Sequence, residues 1–494
     1  MVDSAAARGD LLRYVAPSGA LVEEIGWVDP EAAFLPHAAR DASLWLDSSD
    51  PTHEAARYSF IALDPYKKLS FKAGNAKAGV AAVQSELDAH RALWGALPPA
   101  IDAQVPPFRG GAAGLFAYDL GLGLENAFAA KAPPIDESDA LAIGLYATVL
   151  AFDHHDRRCF IIATGLPHDS AAARADAARQ EISMWQQRLT GVPHQTLPPP
   201  PAAPALAAQP HSNFSKVAYC QAVADLVEHI LDGDIFQANL AQCYDARLGA
   251  DDTALAYYRR LRRAGPAPFS AFLQLGARAL ASASPERFLS VDKGRVETRP
   301  IKGTQKRGHD AAEDAAIAAA LTASAKDRAE NVMIVDLLRN DLAKNCRLGS
   351  IAVPQLCALE SFANVHHLVS TVRGELAPHV PPLAALADCF PGGSITGAPK
   401  IRAMQLIGET EKAPRGASYG SIGYIGFDGR MDTSIIIRTA EIIGRDVSFH
   451  VGGGIVADSR PEAEYIETLN KARGLMAALG VDVDALAAQD EAVA

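Results

Sequence analysis

Two strand–turn–strand signatures, set among long helical patterns, constrain this chain most. Arg287-Phe288-Leu289-Ser290-Val291 and Arg295-Val296-Glu297-Thr298 flank Asp292-Lys293-Gly294, and Thr433 to Ile443 and Val447 to Val456 flank Gly444-Arg445-Asp446. Apolar runs around a glycine-bearing turn predict hairpins, and sequential hairpins predict antiparallel sheet. Ser215 predicts the N-cap of a helix with Val217, Cys220, Val223, Val227, Ile230 and Leu231 on its apolar stripe. Helices interrupt the hairpins, so the class is α+β. No glycine fingerprint follows a strand as in a dinucleotide-binding unit.

The clearest composition break is residues 193–213, PHQTLPPPPAAPALAAQPHSN. Four consecutive prolines, Pro198 to Pro201, predict an extended surface segment, because they can continue neither a helix nor a central strand. It separates residues 1–192 from a second part, 214–480, either as a linker between two units or as a long surface loop within one. Residues 481–494, with Asp484, Asp490 and Glu491, read as a tail. With 494 residues, 49% of them hydrophobic and 21% charged, a sizeable buried core is expected. The net charge of −12, without a long run of either sign, argues against a nucleic-acid surface or a basic membrane face. No uncharged apolar stretch reaches the roughly 20 residues that span a bilayer, and MVDSAAARGD is not a secretory signal. The six cysteines include no CxxC pair, which argues against a zinc site and for free thiols in a reducing compartment. A soluble, cytoplasmic protein is expected.

Four segments carry residue types suited to chemistry. Glu464, Glu467 and Lys471 share one helix face, which by spacing alone reads first as a solvated Glu–Lys ladder. Just before it, His450-Val451-Gly452-Gly453-Gly454-Ile455-Val456 is a strand interrupted by three glycines, tolerated where a ligand approaches the backbone. Asp327 and Glu330 share a face of a second acidic helix; carboxylates from two helices suit Mg²⁺, which keeps waters and accepts substrate oxygens. Phe390 to Lys400, FPGGSITGAPK, is a glycine-rich turn before a helix, either an anion site or a plain joint, and it is not a Walker loop. Lys302, between an extended run and Gly303, becomes a nucleophile if it is held in a desolvated pocket.

Together these segments resemble the chorismate-utilising enzymes, the family of anthranilate, aminodeoxychorismate, isochorismate and salicylate synthases. The likeness runs through GDIFQANLAQ (233–242), SPERF (284–288), TRPIKGT (298–304), KDRAENVMIVDLLRNDL (326–342), VHHLVS (365–370), FPGGSITGAPK (390–400), TSIIIRT (433–439) and HVGGGIVADSRPEAEYIETLNK (450–471). It continues more loosely through LWLDSSD (44–50), RYSFIALDP (57–65) and GGAAGLFAYDL (110–120). The resemblance implies one large sandwich of antiparallel β-sheets flanked by helices, with the active site in a central cleft.

Residue by residue, the resemblance implies that Glu330, Glu464 and Glu467 hold Mg²⁺, with Asp327 contributing directly or through water. Arg438, Tyr419 and the backbone of Gly452, Gly453 and Gly454 would hold the enolpyruvyl carboxylate of chorismate, and Thr396, His367 and Lys471 would line the pocket. Glu286 would be the general acid that protonates the C4 hydroxyl. Lys302 separates the branches: aminodeoxychorismate synthases carry PIKGT, whereas anthranilate synthases typically have alanine for the lysine. No cysteine lies in a Gly-x-Cys-x-Gly elbow, so the resemblance implies ammonia from a separate glutaminase subunit. A tryptophan pocket would form around Leu46-Asp47-Ser48-Ser49.

Overall fold

Period-2 alternation in this chain serves sheets buried on both faces, which is why strands such as Thr148–Asp153 (TVLAFD) read as continuous apolar runs. Val149 and Ala151 face one hydrophobic core, while Leu150 and Phe152 face another. The computed structural model describes residues 11–50, 53–128, 135–361 and 365–485. The opening MVDSAAARGD and the tail from 486 onward, with Asp490 and Glu491, lie outside the described residues.

Among the described residues, the strands form two antiparallel sheets of thirteen and ten strands. The larger runs from Arg13–Val15 at one edge to Ala208–Ser212 at the other, and Leu44–Asp47 pairs with Phe269–Leu275 through Ser270↔Asp47 at its middle. The smaller runs from Ile301–Lys306 to Lys67–Phe71, with Ser421–Gly426 paired to Gly111–Phe116. Strands from both sides of residues 193–213 therefore share both sheets. One core lies between the sheets, joining Phe60, Val149 and Leu280 to Phe116, Leu145 and Ile425. The other lies between the larger sheet and the helices that carry Trp185, Tyr219, Tyr257 and Leu475. This is the expected sandwich of antiparallel sheets flanked by helices.

Local signals hold in part. Lys293 and Gly294 take φ of 50° and 80° in the turn closing Asp292↔Arg295, the left-handed pair a two-residue hairpin needs. Ser215 caps helix Lys216–Leu231 by accepting from the Ala218 N–H at 3.2 Å. The buried face of that helix is Tyr219, Ala222, Val223 and Leu226, whereas Val217 and Leu231 are exposed. The face is set by the Tyr219 ring, which packs on Phe214 and Tyr465. The run from Thr433 to Ile443 is not one strand. Met431–Ile435 belongs to the smaller sheet and Thr439–Ile443 to the larger, and the chain crosses between them at Ile436 to Arg438. Residues 193–213 lie along the surface, where Arg259 and Arg263 donate to the Pro198 carbonyl, and end in the strand Ala208–Ser212. All six cysteines are free, and no described helix is long and apolar enough to cross a membrane.

Candidate active site

Strand Asp446–Ile455 pairs with Gln237–Arg247 along its length and brings its three glycines to the region between the sheets. Helix Pro461–Ala478 packs over that strand and aims its acidic face at the glycines. A Cβ on Gly453 would stand 3.3 Å from Glu464 Oε2, 3.5 Å from Glu467 Oε1 and 3.6 Å from Lys471 Nζ. Lys471 donates to the Gly452 carbonyl at 2.7 Å and pairs with Glu467 at 2.6 Å. Glu464 is buried and Lys471 half-buried against the glycine strand, while the Glu467 side chain, 51% exposed, lies at the rim. From the opposite sheet, strand Ile301–Lys306 bulges at Gly303 and sends Lys302 to within 3.6 Å of where a Gly454 Cβ would be.

Glu286 is 8% exposed, in the link between strands Arg278–Ser284 and Arg287–Asp292. Burial raises its carboxyl above the usual range, against the opposing pull of a Ser394 hydrogen bond and of Lys302, Arg438 and Lys471. An acid and three cations therefore face one small volume. Arg438 sits at the crossing between the sheets with φ of 51°, and burial lowers its affinity for a proton. Tyr419 has φ of 66°, donates its N–H to Ile436 at 2.7 Å and lies under the Arg415 guanidinium at 4.4 Å. Left-handed backbone at two non-glycine residues facing one cleft is the strain, about 1–3 kcal/mol each, that accumulates at functional sites. Arg415 is itself fixed by Glu411 at 2.7 Å and by the carbonyls of Ile395 and Asn239. Burial, with Arg438 and His53 nearby, pushes His367 down to about 4, so its ring is neutral at physiological pH.

The remaining expected residues are placed less directly. Thr396 donates its hydroxyl to the Gly392 carbonyl at 2.9 Å and accepts the Asn239 N–H, so it shapes the loop wall. Lys400, at the end of the glycine-rich turn, is tied to Asp341 at 2.8 Å and to the Cys389 carbonyl. Asp327 lies against Gly303, and its carboxylate accepts from the hydroxyl of Ser324, the N-cap of helix Ala325–Ala343. Glu330, one turn further on, shares a charge environment with Lys302, Lys326 and Glu464; burial raises its carboxyl and that of Glu464. Burial acts to raise Glu467 as well, but Lys471 holds it below the usual carboxylate range.

The carboxylates fit a hard divalent cation in kind: the donors are oxygens only, and two of them border the hollow that a Gly453 Cβ would fill. Lys326 Nζ stands 3.9 Å from both Glu330 and Glu464 and so neutralises them from between. Among the described residues, no three His, Cys, Asp or Glu side chains are gathered closely enough to hold a metal as they stand. Gln237 lies in the GDIFQANLAQ block, where nothing in the sequence distinguishes it from its neighbours. It is fully buried, both its amide atoms lack a hydrogen-bond partner, and its Nε2 is 2.3 Å from the Gly454 Cβ position. An unsatisfied buried amide costs roughly 1–3 kcal/mol, and no periodicity signals which strand residue will carry one.

A second cavity, of about 340 Å³, lies apart from this cleft and is lined by Leu46, Asp47, Ser48, Tyr58, Phe269 and Arg287 among others.

Comparison with known proteins gives this geometry its context. The family described as chorismate binding enzyme matches residues 41–477. The chain belongs to the chorismate-binding enzyme family. It is 42% identical over 374 residues to aminodeoxychorismate synthase component 1 of Escherichia coli strain K12, covering 75% of this chain and 77% of that one. It is 34% identical to anthranilate synthase component 1 of Bacillus subtilis strain 168, covering 90% and 88%. The crystal structure of anthranilate synthase component I from Streptococcus pneumoniae TIGR4 superimposes with a TM-score of 0.69 at 29% identity, over 85% of this chain and 92% of that one. This chorismate-binding chain is an enzyme that acts on chorismate.

Proposed function

We propose that the chain is the chorismate-binding subunit of an aminodeoxychorismate synthase, converting chorismate and ammonia to 4-amino-4-deoxychorismate on the route to para-aminobenzoate and folate. The observation that carries this is the lysine from the opposite sheet: Lys302 Nζ reaches the glycine strand and acts on the buried acid Glu286. In this reading Glu286 gives its proton to the C4 hydroxyl, which leaves as water while the Lys302 amine adds at C2. Ammonia then adds at C4 and expels the lysine amine, and the enolpyruvyl group is retained throughout. Arg438, beside Tyr419 and the glycine backbone, binds the enolpyruvyl carboxylate as a charge-assisted partner. Mg²⁺, held by Glu330, Glu464 and Glu467 with Asp327 behind them, would supply a Lewis acid for the ring carboxylate. Gln237 stands beside Lys302, where its free amide can meet the incoming ammonia or the ring substituents.

The relatives named component 1 support a separate glutaminase subunit as the ammonia source. The 340 Å³ cavity, with its aromatic and charged lining, is the place proposed for tryptophan. Anthranilate synthase is the second reading, favoured by relatives of that name and opposed by Lys302, since without a lysine ammonia itself adds at C2. The test is product analysis with chorismate, Mg²⁺ and ammonium at alkaline pH, with Lys302→Ala in parallel. Aminodeoxychorismate from the parent chain, and activity at least ~100-fold lower in the variant, is expected. Anthranilate from the parent chain would overturn the assignment.

A further inference from the structure

Lys326 belongs to the KDRAEN stretch, yet no step above uses it. Its ammonium lies 3.9 Å from Glu330 Oε1, one turn along its own helix, and 3.9 Å from Glu464 Oε1, on helix Pro461–Ala478. It thus stands where two carboxylates from different helices converge. Glu464 Oε1 also accepts from Ser459 at 2.7 Å, and its other oxygen borders the Gly453 hollow. Neither pair has hydrogen-bond geometry, and the Lys326 side chain is 49% exposed, so it is held by charge and free to swing into water.

We propose that Lys326 is a built-in counter-cation: it occupies the divalent-cation position between the two acidic helices and must leave before a metal can enter. The argument is one of charge and space. Glu330 and Glu464 are partly buried, and like charges there repel strongly unless a cation separates them. An ammonium does this without ordered coordination. A dication at the same place repels the ammonium and takes over its role. Lys326 therefore weakens metal binding to the free enzyme and shifts tight binding to the state in which a dianionic substrate adds its own carboxylate to the cation.

This inference rests on the metal reading of the site, and its test separates the two. Mn²⁺ and Mg²⁺ are titrated by calorimetry, without substrate, into the parent chain, Lys326→Met and Lys326→Arg, with thermal unfolding of each metal-free protein alongside. The expectation is a dissociation constant about three- to tenfold lower for Lys326→Met, the worth of two partly exposed pairs. Lys326→Arg should stay near the parent. Metal-free Lys326→Met should unfold at a lower temperature and recover on metal addition, which a merely structural lysine would not show. Equal or weaker metal binding by Lys326→Met overturns the counter-cation role and leaves the metal site standing. No metal binding by any of the three, even with chorismate present, overturns the metal site itself.

Discussion

Gly453→Ala asks whether the glycine strand is there for the ligand or for the fold. The three atoms nearest the added Cβ would be Glu464 Oε2 at 3.3 Å, Glu467 Oε1 at 3.5 Å and Lys471 Nζ at 3.6 Å, all ends of flexible side chains. Only Glu464 Oε2 is closer than ordinary van der Waals contact, and it must yield a few tenths of an ångström. Alanine also narrows the unfolded ensemble, worth about 0.4–1 kcal/mol in favour of folding where the backbone is compatible. The variant should therefore fold with stability within about 1 kcal/mol of the parent. Its chemistry should suffer, because the methyl fills the hollow bordered by two proposed metal ligands and the lysine. Misplacement approaching 1 Å at a reacting site costs ~100-fold; a shift of a few tenths should lower kcat/KM by about 10- to 50-fold, or roughly 1.4–2.3 kcal/mol. The fall should be accompanied by weaker metal binding, read by calorimetry. Gly452→Ala is the contrast: its Cβ would lie 2.2 Å from the Leu240 carbonyl across the ladder, so the strand itself must shift and the melting temperature should drop. The reasoning is refuted if Gly453→Ala keeps parental kcat/KM and metal affinity, or if it unfolds as readily as Gly452→Ala.

Two further outcomes follow from charge. Glu286→Gln should lower kcat by about 10²–10⁴-fold, as loss of a general acid does. Because burial raises the Glu286 carboxyl, its contribution to stability is present at acid pH and lost as pH rises through that raised value. Differential scanning fluorimetry should therefore show Glu286→Gln gaining on the parent as pH rises above the ordinary glutamate value of 4.5, and a constant difference would be the contrary result. His450 is enclosed beside Ser418 at 3.0 Å, and burial, then Arg415, pushes it down from 6.5 to about 3. Its contribution is present above pH 6.5 and is lost on acidification by about 1.4 kcal/mol per pH unit. His450→Gln should flatten the acid limb of a urea-stability profile by that slope, and an unchanged limb would show that His450 does not carry it.

What the sequence determined by itself is local or is matched across whole blocks. The Lys293-Gly294 turn and the Ser215 cap depend on a few neighbouring residues, so their chemistry is visible in order along the chain. The eight blocks from GDIFQANLAQ to the glycine strand point to a family because they recur together, and matching them demands no geometry. The tertiary structure alone decided the rest. Glu464, Glu467 and Lys471 have the spacing of a solvated ladder, and only the packing of the helix on the glycine strand, with Lys471 reaching Gly452 nineteen residues earlier, draws Glu464 and Lys471 inward and leaves Glu467 at the rim. Nothing local separates Met431–Ile435 from Thr439–Ile443, because apolar alternation continues across the crossing that places Arg438 in the cleft. Lys302, Lys326 and Gln237 meet their neighbours on other elements, at Gly454, Glu464 and Gly454 respectively, and the roles proposed for them rest on those approaches. Periodicity reports which side of an element is apolar; which charges share a volume is set by packing between elements distant in sequence.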